Sequence, residues 1–160
     1  MTIKVGDKVP SGTLYRIGAE GPEAVSTNDY FGGRKVVVFG LPGAFTPTCS
    51  GQHVPGYLAS ADAIADKGVD AIACISVNDA FVMGAWGVDQ GVGDKIDMLA
   101  DGSGELTGKL GLEFDLTERG LGVRSRRYAM IVEDGEVTHM ALEDGPGLAV
   151  SSAEETLKAL

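Results

Sequence analysis

The stretch that most constrains this chain runs from Val36 to Gly56, VVVFGLPGAFTPTCSGQHVPG. Its first residues, Val36-Val37-Val38-Phe39, are apolar without alternation, the pattern of a strand covered on both faces in the middle of a sheet. Pro42 and Gly43 end that run, as turn residues do. Thr46 followed by Pro47 reads as a helix start, with threonine as N-cap and proline in the first helical position. Cys49 then falls three residues after the cap, where a capping box carries an anionic glutamate. Unpaired backbone N–H groups and the helix dipole favour negative charge there, and so favour thiolate over thiol. A free cysteine is more often a buried, inert small hydrophobe. This one stands at a strand-to-helix turn whose electrostatics suit a reactive sulfur.

The rest of the chain supplies the frame. Gly12–Ile17 and Glu23–Ser26 read as a β-hairpin around a glycine turn, and Asn28–Gly33 as a short helical turn. The helix from Pro47 carries an apolar stripe, Val54, Tyr57, Leu58, Ala61, Ile64 and Ala65, and ends at Gly68. Pro55 lies well inside it, where a kink is expected. Val69–Val77 and Ile96–Ala100 read as strands, Ala80–Gln90 and Gly104–Leu110 as helices, and Leu112–Ser125 as loop or irregular helix. Arg127–Val132 and Glu136–Leu142 flank the turn signal Glu133-Asp134-Gly135 as a hairpin. Ser152–Leu160 closes the chain as a helix with Ser152 as N-cap. Early alternation of strands and helices with a late hairpin predicts an α/β layer: a mixed central sheet flanked by helices, with the first hairpin, Gly12–Ser26, at the N-terminus. With 160 residues and 44% apolar composition, residues 1–160 are expected to form one domain.

Composition narrows the partners. Thirteen basic against 23 acidic residues give a net charge of −10, which argues against nucleic acid and anionic membranes. The N-terminal MTIKVGDKVP has neither a signal-peptide nor a transit pattern, and two cysteines do not make a disulfide scaffold, so a cytoplasmic location is expected. Two cysteines and two histidines cannot close a zinc shell without carboxylates, and no phosphate loop or dinucleotide fingerprint is present, so no metal or cofactor is expected.

The segment Pro42-Gly43-Ala44-Phe45-Thr46-Pro47-Thr48-Cys49 resembles the active-site motif of the peroxiredoxins: Pro, three residues, Thr or Ser, two residues, Cys. PGAFTPTCS is most similar to the peroxiredoxin 5, or type II, branch. SGQHVPGY (Ser50–Tyr57), CISVND (Cys74–Asp79), FVMGAW (Phe81–Trp86) and RYAM (Arg127–Met130) resemble that branch too, so the likeness spans roughly Val5 to Leu148. The resemblance implies a thioredoxin-like fold and a thiol-dependent peroxidase. Cys49 would reduce hydrogen peroxide or alkyl hydroperoxides and pass through a sulfenic acid. It assigns Thr46 as a hydroxyl that contacts thiolate and peroxide oxygen, and Pro42 as a shield from water. Arg127 becomes the cation, and Gly43, Phe45 and Thr48 line the substrate. It also implies a homodimer, with Phe45, Phe81 and Trp86 near the interface, and a reductant that is glutaredoxin with glutathione or thioredoxin.

The residues, together with that resemblance, constrain these assignments. Strand alternation forbids Arg126 and Arg127 from facing one site. A thiol of ordinary pKa, about 8.5, is about 3% ionised at neutral pH, so full ionisation gains only about thirtyfold, or about 2 kcal/mol. The remainder of a fast peroxidase must come from groups that stabilise the stretched O–O bond. The thioredoxin pattern C-x-x-C is absent, because Thr46 stands where its first cysteine would be; this disfavours a thiol–disulfide oxidoreductase. Cys74 sits in an apolar strand and reads as a core cysteine, yet its spacing from Cys49 resembles plant-type members and leaves it as a possible second redox cysteine. Val150 stands where other members carry a resolving cysteine, which favours a one-Cys cycle completed by an external thiol. His53 reads as a packing or interface residue rather than as the base of Cys49. A peroxide-sensing binding protein, with turnover incidental, is the reading from another functional class.

Overall fold

A computed structural model describes residues 1–160. Its centre is β3 (Lys35–Leu41), the run of valines that opens the constraining stretch. Parallel β4 (Ala71–Ser76) lies on one side of β3, with β5 (Asp97–Ala100) beyond it. On the other side are antiparallel β8 (Tyr128–Glu133) and β9 (Glu136–Leu142). The N-terminal hairpin of β1 (Thr13–Gly18) and β2 (Gly21–Ser26) joins the sheet through β5, so the seven-stranded order is β2-β1-β5-β4-β3-β8-β9. This is the mixed sheet expected from the pattern of the sequence.

Alternation along the central strands divides the core into two layers. Val37, Phe39 and Leu41 of β3, Ile72 and Cys74 of β4, and Ala129 and Ile131 of β8 face one cluster. Val36, Val38, Ala73, Ile75, Tyr128, Met130 and Val132 face the other. The first layer is covered by α2 (Val54–Ala65), α3 (Ala80–Gln90) and α5 (Ala153–Ala159), the second by α1 (Thr27–Phe31) and α4 (Glu105–Leu110). Ser152 caps α5 as expected, accepting the Glu155 N–H (3.3 Å), and Asp79 caps α3 in the same way, accepting the Val82 N–H (2.8 Å). No helix is long and apolar enough to cross a membrane.

Two local expectations are corrected. Residues 112–125 are neither loop nor irregular helix. They form β6 (Glu113–Leu116), a 3-10 turn at Thr117–Arg119, and β7 (Gly122–Ser125), paired as a separate two-stranded sheet. Asp115 hides the pairing from a composition reading, because it accepts from the Thr117 N–H (2.9 Å) and so starts the turn itself. The break expected at Pro55 is taken up as a π-turn, Cys49–His53, in which the Val54 N–H reaches back five residues to the Cys49 carbonyl. Proline lacks an N–H and crowds the carbonyl four residues earlier, and widening the helix by one residue relieves both problems.

Candidate active site

β3 delivers the chain into the site. Gly40 is required there, since a Cβ would collide with the Tyr128 ring. The chain then turns through Pro42–Thr46, and two side chains hold that turn. Asn78, just past β4, accepts the Ala44 N–H (2.9 Å), while Arg124 donates from Nη1 to the Pro42 carbonyl (3.2 Å). Gly43 admits that arginine, for a Cβ would lie 2.6 Å from its Nη1. Phe45 adopts a left-handed backbone conformation, φ 64°, uncommon for a bulky residue. This reverses the chain and leaves its ring exposed, with its centroid 6.3 Å from that of Trp86.

Thr46 acts as a cap through its backbone, its carbonyl accepting the first helical bond from the Ser50 N–H (2.9 Å). Its hydroxyl differs from both expectations. It neither caps the helix nor bonds to Cys49, but donates to the Gly43 carbonyl (2.7 Å), three residues back. Thr48 is half-buried and Pro42 buried.

Cys49 has no solvent exposure. Its Sγ accepts a hydrogen bond from Nη2 of Arg127 at 3.3 Å. Arg127 immediately precedes β8 and shares the face of Ala129 and Ile131, the layer to which Cys49 belongs. Arg126 points away, to the Glu143 carbonyl (3.0 Å). Arg127 is 2% exposed, and none of the five ion pairs includes it. A buried guanidinium without a carboxylate is costly unless another anion faces it. The group in reach that can carry negative charge is the sulfur of Cys49.

Two further donors of Arg127 go to neutral acceptors, Nε to the Pro146 carbonyl (3.1 Å) and Nη1 to Nδ1 of His53 (2.9 Å). An arginine only donates, so Nδ1 accepts, the ring proton sits on Nε2, and Nε2 donates to the Ser151 carbonyl (3.1 Å). Burial, followed by the charge of Arg127, pushes the imidazole down to about 3. His53 is therefore a neutral strut. It is no base for Cys49, because its lone pair belongs to the arginine, and it is no surface residue, being 1% exposed. Its ring packs against Phe39, centroids 4.8 Å apart, and Phe39 stacks on Tyr57 at 4.1 Å. The reading as packing holds, but it missed the bond to Arg127. The signal was present: positions four apart in a helix share a face.

Cys74 is fully buried mid-strand between Phe39 and Met98, a free thiol like Cys49. Burial pushes this thiol well up, as does the neighbouring Cys49. Trp86 is wholly buried, its Nε1 donating to the Ser50 hydroxyl (3.0 Å), so its side chain belongs to the core rather than to the surface. Phe45 and Phe81 remain exposed.

The chain was compared with known proteins. A family model described as Redoxin matches residues 4–157. Peroxiredoxin-2E, chloroplastic, of Arabidopsis thaliana is 52% identical over 163 residues, covering 99% of this chain and 70% of that protein. Among solved structures, reduced Prx3 from Vibrio vulnificus in complex with H2O2 superposes with a TM-score of 0.95 and 48% identity, covering 99% of both chains. Peroxiredoxin 5 from Alvinella pompejana superposes with a TM-score of 0.87 and 38% identity, covering 98% of this chain and 97% of that one.

Proposed function

The chain belongs to the peroxiredoxin family, has its thioredoxin-like fold and is a thiol-dependent peroxidase, and on that premise we propose how its own residues carry the reaction. The observation that carries the reading is the buried Arg127 guanidinium, without a carboxylate partner, donating to Cys49 Sγ at 3.3 Å. The Cys49 thiolate attacks one oxygen of hydrogen peroxide or of an alkyl hydroperoxide. An S–O bond forms as the O–O bond breaks; sulfur loses two electrons, and the leaving oxygen takes a proton and departs as water or alcohol. Arg127 holds both the sulfur and the departing oxygen. Thr46 swings its hydroxyl from the Gly43 carbonyl to the peroxide, and Pro42, Gly43, Phe45 and Thr48 form the wall that keeps water out.

The sulfenic acid is resolved from outside in a one-Cys cycle. An external thiol condenses with it, its sulfur attacking Cys49 Sγ and its proton leaving with the sulfenic hydroxyl as water, to give a mixed disulfide, and a second thiol then frees Cys49 with formation of the reductant's own disulfide. Glutathione with glutaredoxin fits this sequence of steps, and thioredoxin is the other reductant class. Three features support an external thiol. Cys74 is held in a central strand, the position of the alternative resolving cysteine is Val150, and both thiols of the chain are free. The working enzyme is a homodimer in the cytoplasm. An exposed apolar patch supports the dimer: Phe81, Ala85 and Val88 lie along one face of α3, and Phe45 is also exposed. A monomer mass in light scattering at micromolar concentration would remove it.

Intact mass spectrometry tests the cycle. One equivalent of peroxide should give a dimedone-trapped adduct on Cys49, and glutathione should convert the untrapped acid to a mixed disulfide that glutaredoxin clears. Quantitative loss of two hydrogens within one chain would mean a Cys49–Cys74 disulfide and would end the one-Cys reading.

A further inference from the structure

Residues 144–151, DGPGLAVS, link β9 to α5. Gly145 and Gly147 make this loop costly to order, at about 1–2 kcal/mol of backbone entropy per residue. Most of it is exposed, with half-buried Leu148 and buried Ser151 as its inward-facing residues. Its carbonyls nevertheless serve the active site. Pro146 takes the Nε–H of Arg127 (3.1 Å), and Ser151 takes Nε2–H of His53 (3.1 Å) and the Tyr57 hydroxyl (2.8 Å). Two of the four hydrogen bonds that orient the guanidinium and its histidine strut therefore end in this one loop.

Glu143 holds that loop. Its Oε2 accepts from the Ala149 N–H (2.8 Å), the Ser151 N–H (2.9 Å) and the Ser151 hydroxyl (2.7 Å). Its backbone is pinned beside the arginine, with its N–H donating to the Arg127 carbonyl (3.0 Å) and its carbonyl accepting from Arg126 (3.0 Å). Glu143 is itself buried and makes no ion pair with Arg127. A carboxylate seated on the guanidinium would cancel the charge that faces Cys49. Placed one loop away, it fixes the geometry of the arginine and leaves its charge to the sulfur. Burial works to raise this carboxyl, but the hydrogen bonds from Ala149 and Ser151 outweigh it and hold the group below its ordinary value, as ionised acceptors are held.

We propose that Glu143 is a positioning residue for peroxide reduction: its carboxylate gathers residues 149–151 and so sets the Pro146 and Ser151 carbonyls that aim Arg127 at Cys49 and at the peroxide. The inference rests on the reading of Arg127 given above. Loss of a supporting partner of this kind costs about 10–100-fold, the order found for outer partners of reactive centres and for misplacements of about 1 Å.

The test uses the full chain as wild type, Glu143→Ala, Glu143→Gln and Arg127→Gln. Three quantities are read: the rate constant of Cys49 with hydrogen peroxide, its rate constant with iodoacetamide, and hydrogen exchange at the Ala149 and Ser151 amides. Alkylation needs the sulfur but breaks no O–O bond, so it reports a loss that is not specific to peroxide. Glu143→Ala should speed exchange at both amides and lower the peroxide constant by about 10–100-fold, while alkylation falls by much less or rises. Glu143→Gln keeps one acceptor oxygen and should fall between wild type and alanine; if the alanine variant does not fold, glutamine with the same signs carries the test. A wild-type peroxide constant despite faster exchange would overturn the proposal, and so would unchanged exchange. Equal falls with both reagents would mean that the loop acts on the sulfur alone, and the positioning role would be gone. Wild-type peroxide reactivity in Arg127→Gln would sink the reading of the arginine itself. Loss in Arg127→Gln with none in the Glu143 variants would sink the positioning role alone.

Discussion

Cys49 and Cys74 face the same apolar layer of the sheet, and neither side chain has any solvent exposure. The two regions differ in what polar structure surrounds the sulfur. Cys49 sits in a π-turn past a proline-rich bend, and a buried arginine without a carboxylate donates to it. Cys74 sits in the middle of β4 between Phe39 and Met98, where burial drives its thiol up and toward the neutral form. Burial is therefore no measure of inertness here. What separates the two is whether the fold has also buried a cation that needs an anion, and Arg127, just before β8, supplies it to Cys49.

The largest effect that would break this contrast is complete loss of turnover. Cys49→Ser should abolish peroxide consumption. Cys74→Ser should keep most of the rate constant while lowering the melting temperature, because a hydroxyl in that strand has no partner and costs about 1–3 kcal/mol. Equal loss of turnover in the two variants would put Cys74 into the cycle.

Next in size is the arginine. Arg127→Gln should lower the rate constant with peroxide by about 10²–10³-fold, the range for removing one transition-state donor. Arg126→Gln, whose side chain reaches the Glu143 carbonyl instead, should do much less. If Arg126→Gln had the larger effect, the face assigned to Arg127 would be wrong.

That face was legible in the sequence because strand period is strict: Arg127, Ala129 and Ile131 must share a side, and the apolar run Val36–Phe39 had to be central. The bend and helix start around Cys49 were legible for a similar local reason, since Pro42 and Pro47 each fix φ and withhold a backbone N–H, and Gly43 favours neither strand nor helix. What could not be read was tertiary. Thr46 points its hydroxyl at the Gly43 carbonyl because the bend brings that carbonyl within 2.7 Å, a distance no residue pattern encodes. His53 carried a local signal, but its partner lies 74 residues on. Glu143 carried none, since a glutamate at the end of a strand is most often solvated and its three donors come from a loop with no periodicity. Trp86 looked like an interface aromatic and is core, because α3 turns Phe81 and Val88 outward instead.

The smallest effect sharpens the contrast through pH, since each region should fail at its own end of the scale. His53 is buried neutral, its imidazole pushed down to about 3 from an ordinary 6.5. Unfolding frees it to take a proton below about pH 6.5, so the unfolded chain binds more protons there and stability is lost as pH falls from that point toward 3, at up to about 1.4 kcal/mol per pH unit. The carboxylates held low, Asp7, Asp115 and Glu143, enter only below about pH 4.5, which leaves the window above that value to the histidine. Cys74 has the opposite sign. Its thiol is pushed up, so its contribution is complete below the ordinary thiol value and is lost as pH rises above it, when the unfolded chain ionises and the folded one does not. The buried tyrosines, Tyr30, Tyr57 and Tyr128, are also held neutral, but their ordinary value of 10.0 starts their loss higher. Urea unfolding measured from pH 4.5 to pH 9.5 should therefore show a dome. His53→Gln should flatten its acid limb and leave the alkaline limb, and Cys74→Ala should do the reverse. A His53→Gln protein that keeps the full slope between pH 6.5 and pH 4.5 would show that the imidazole is protonated in the folded state. Its Nδ1 could not then accept from Arg127, and the arginine would be held by the Pro146 carbonyl and the sulfur alone.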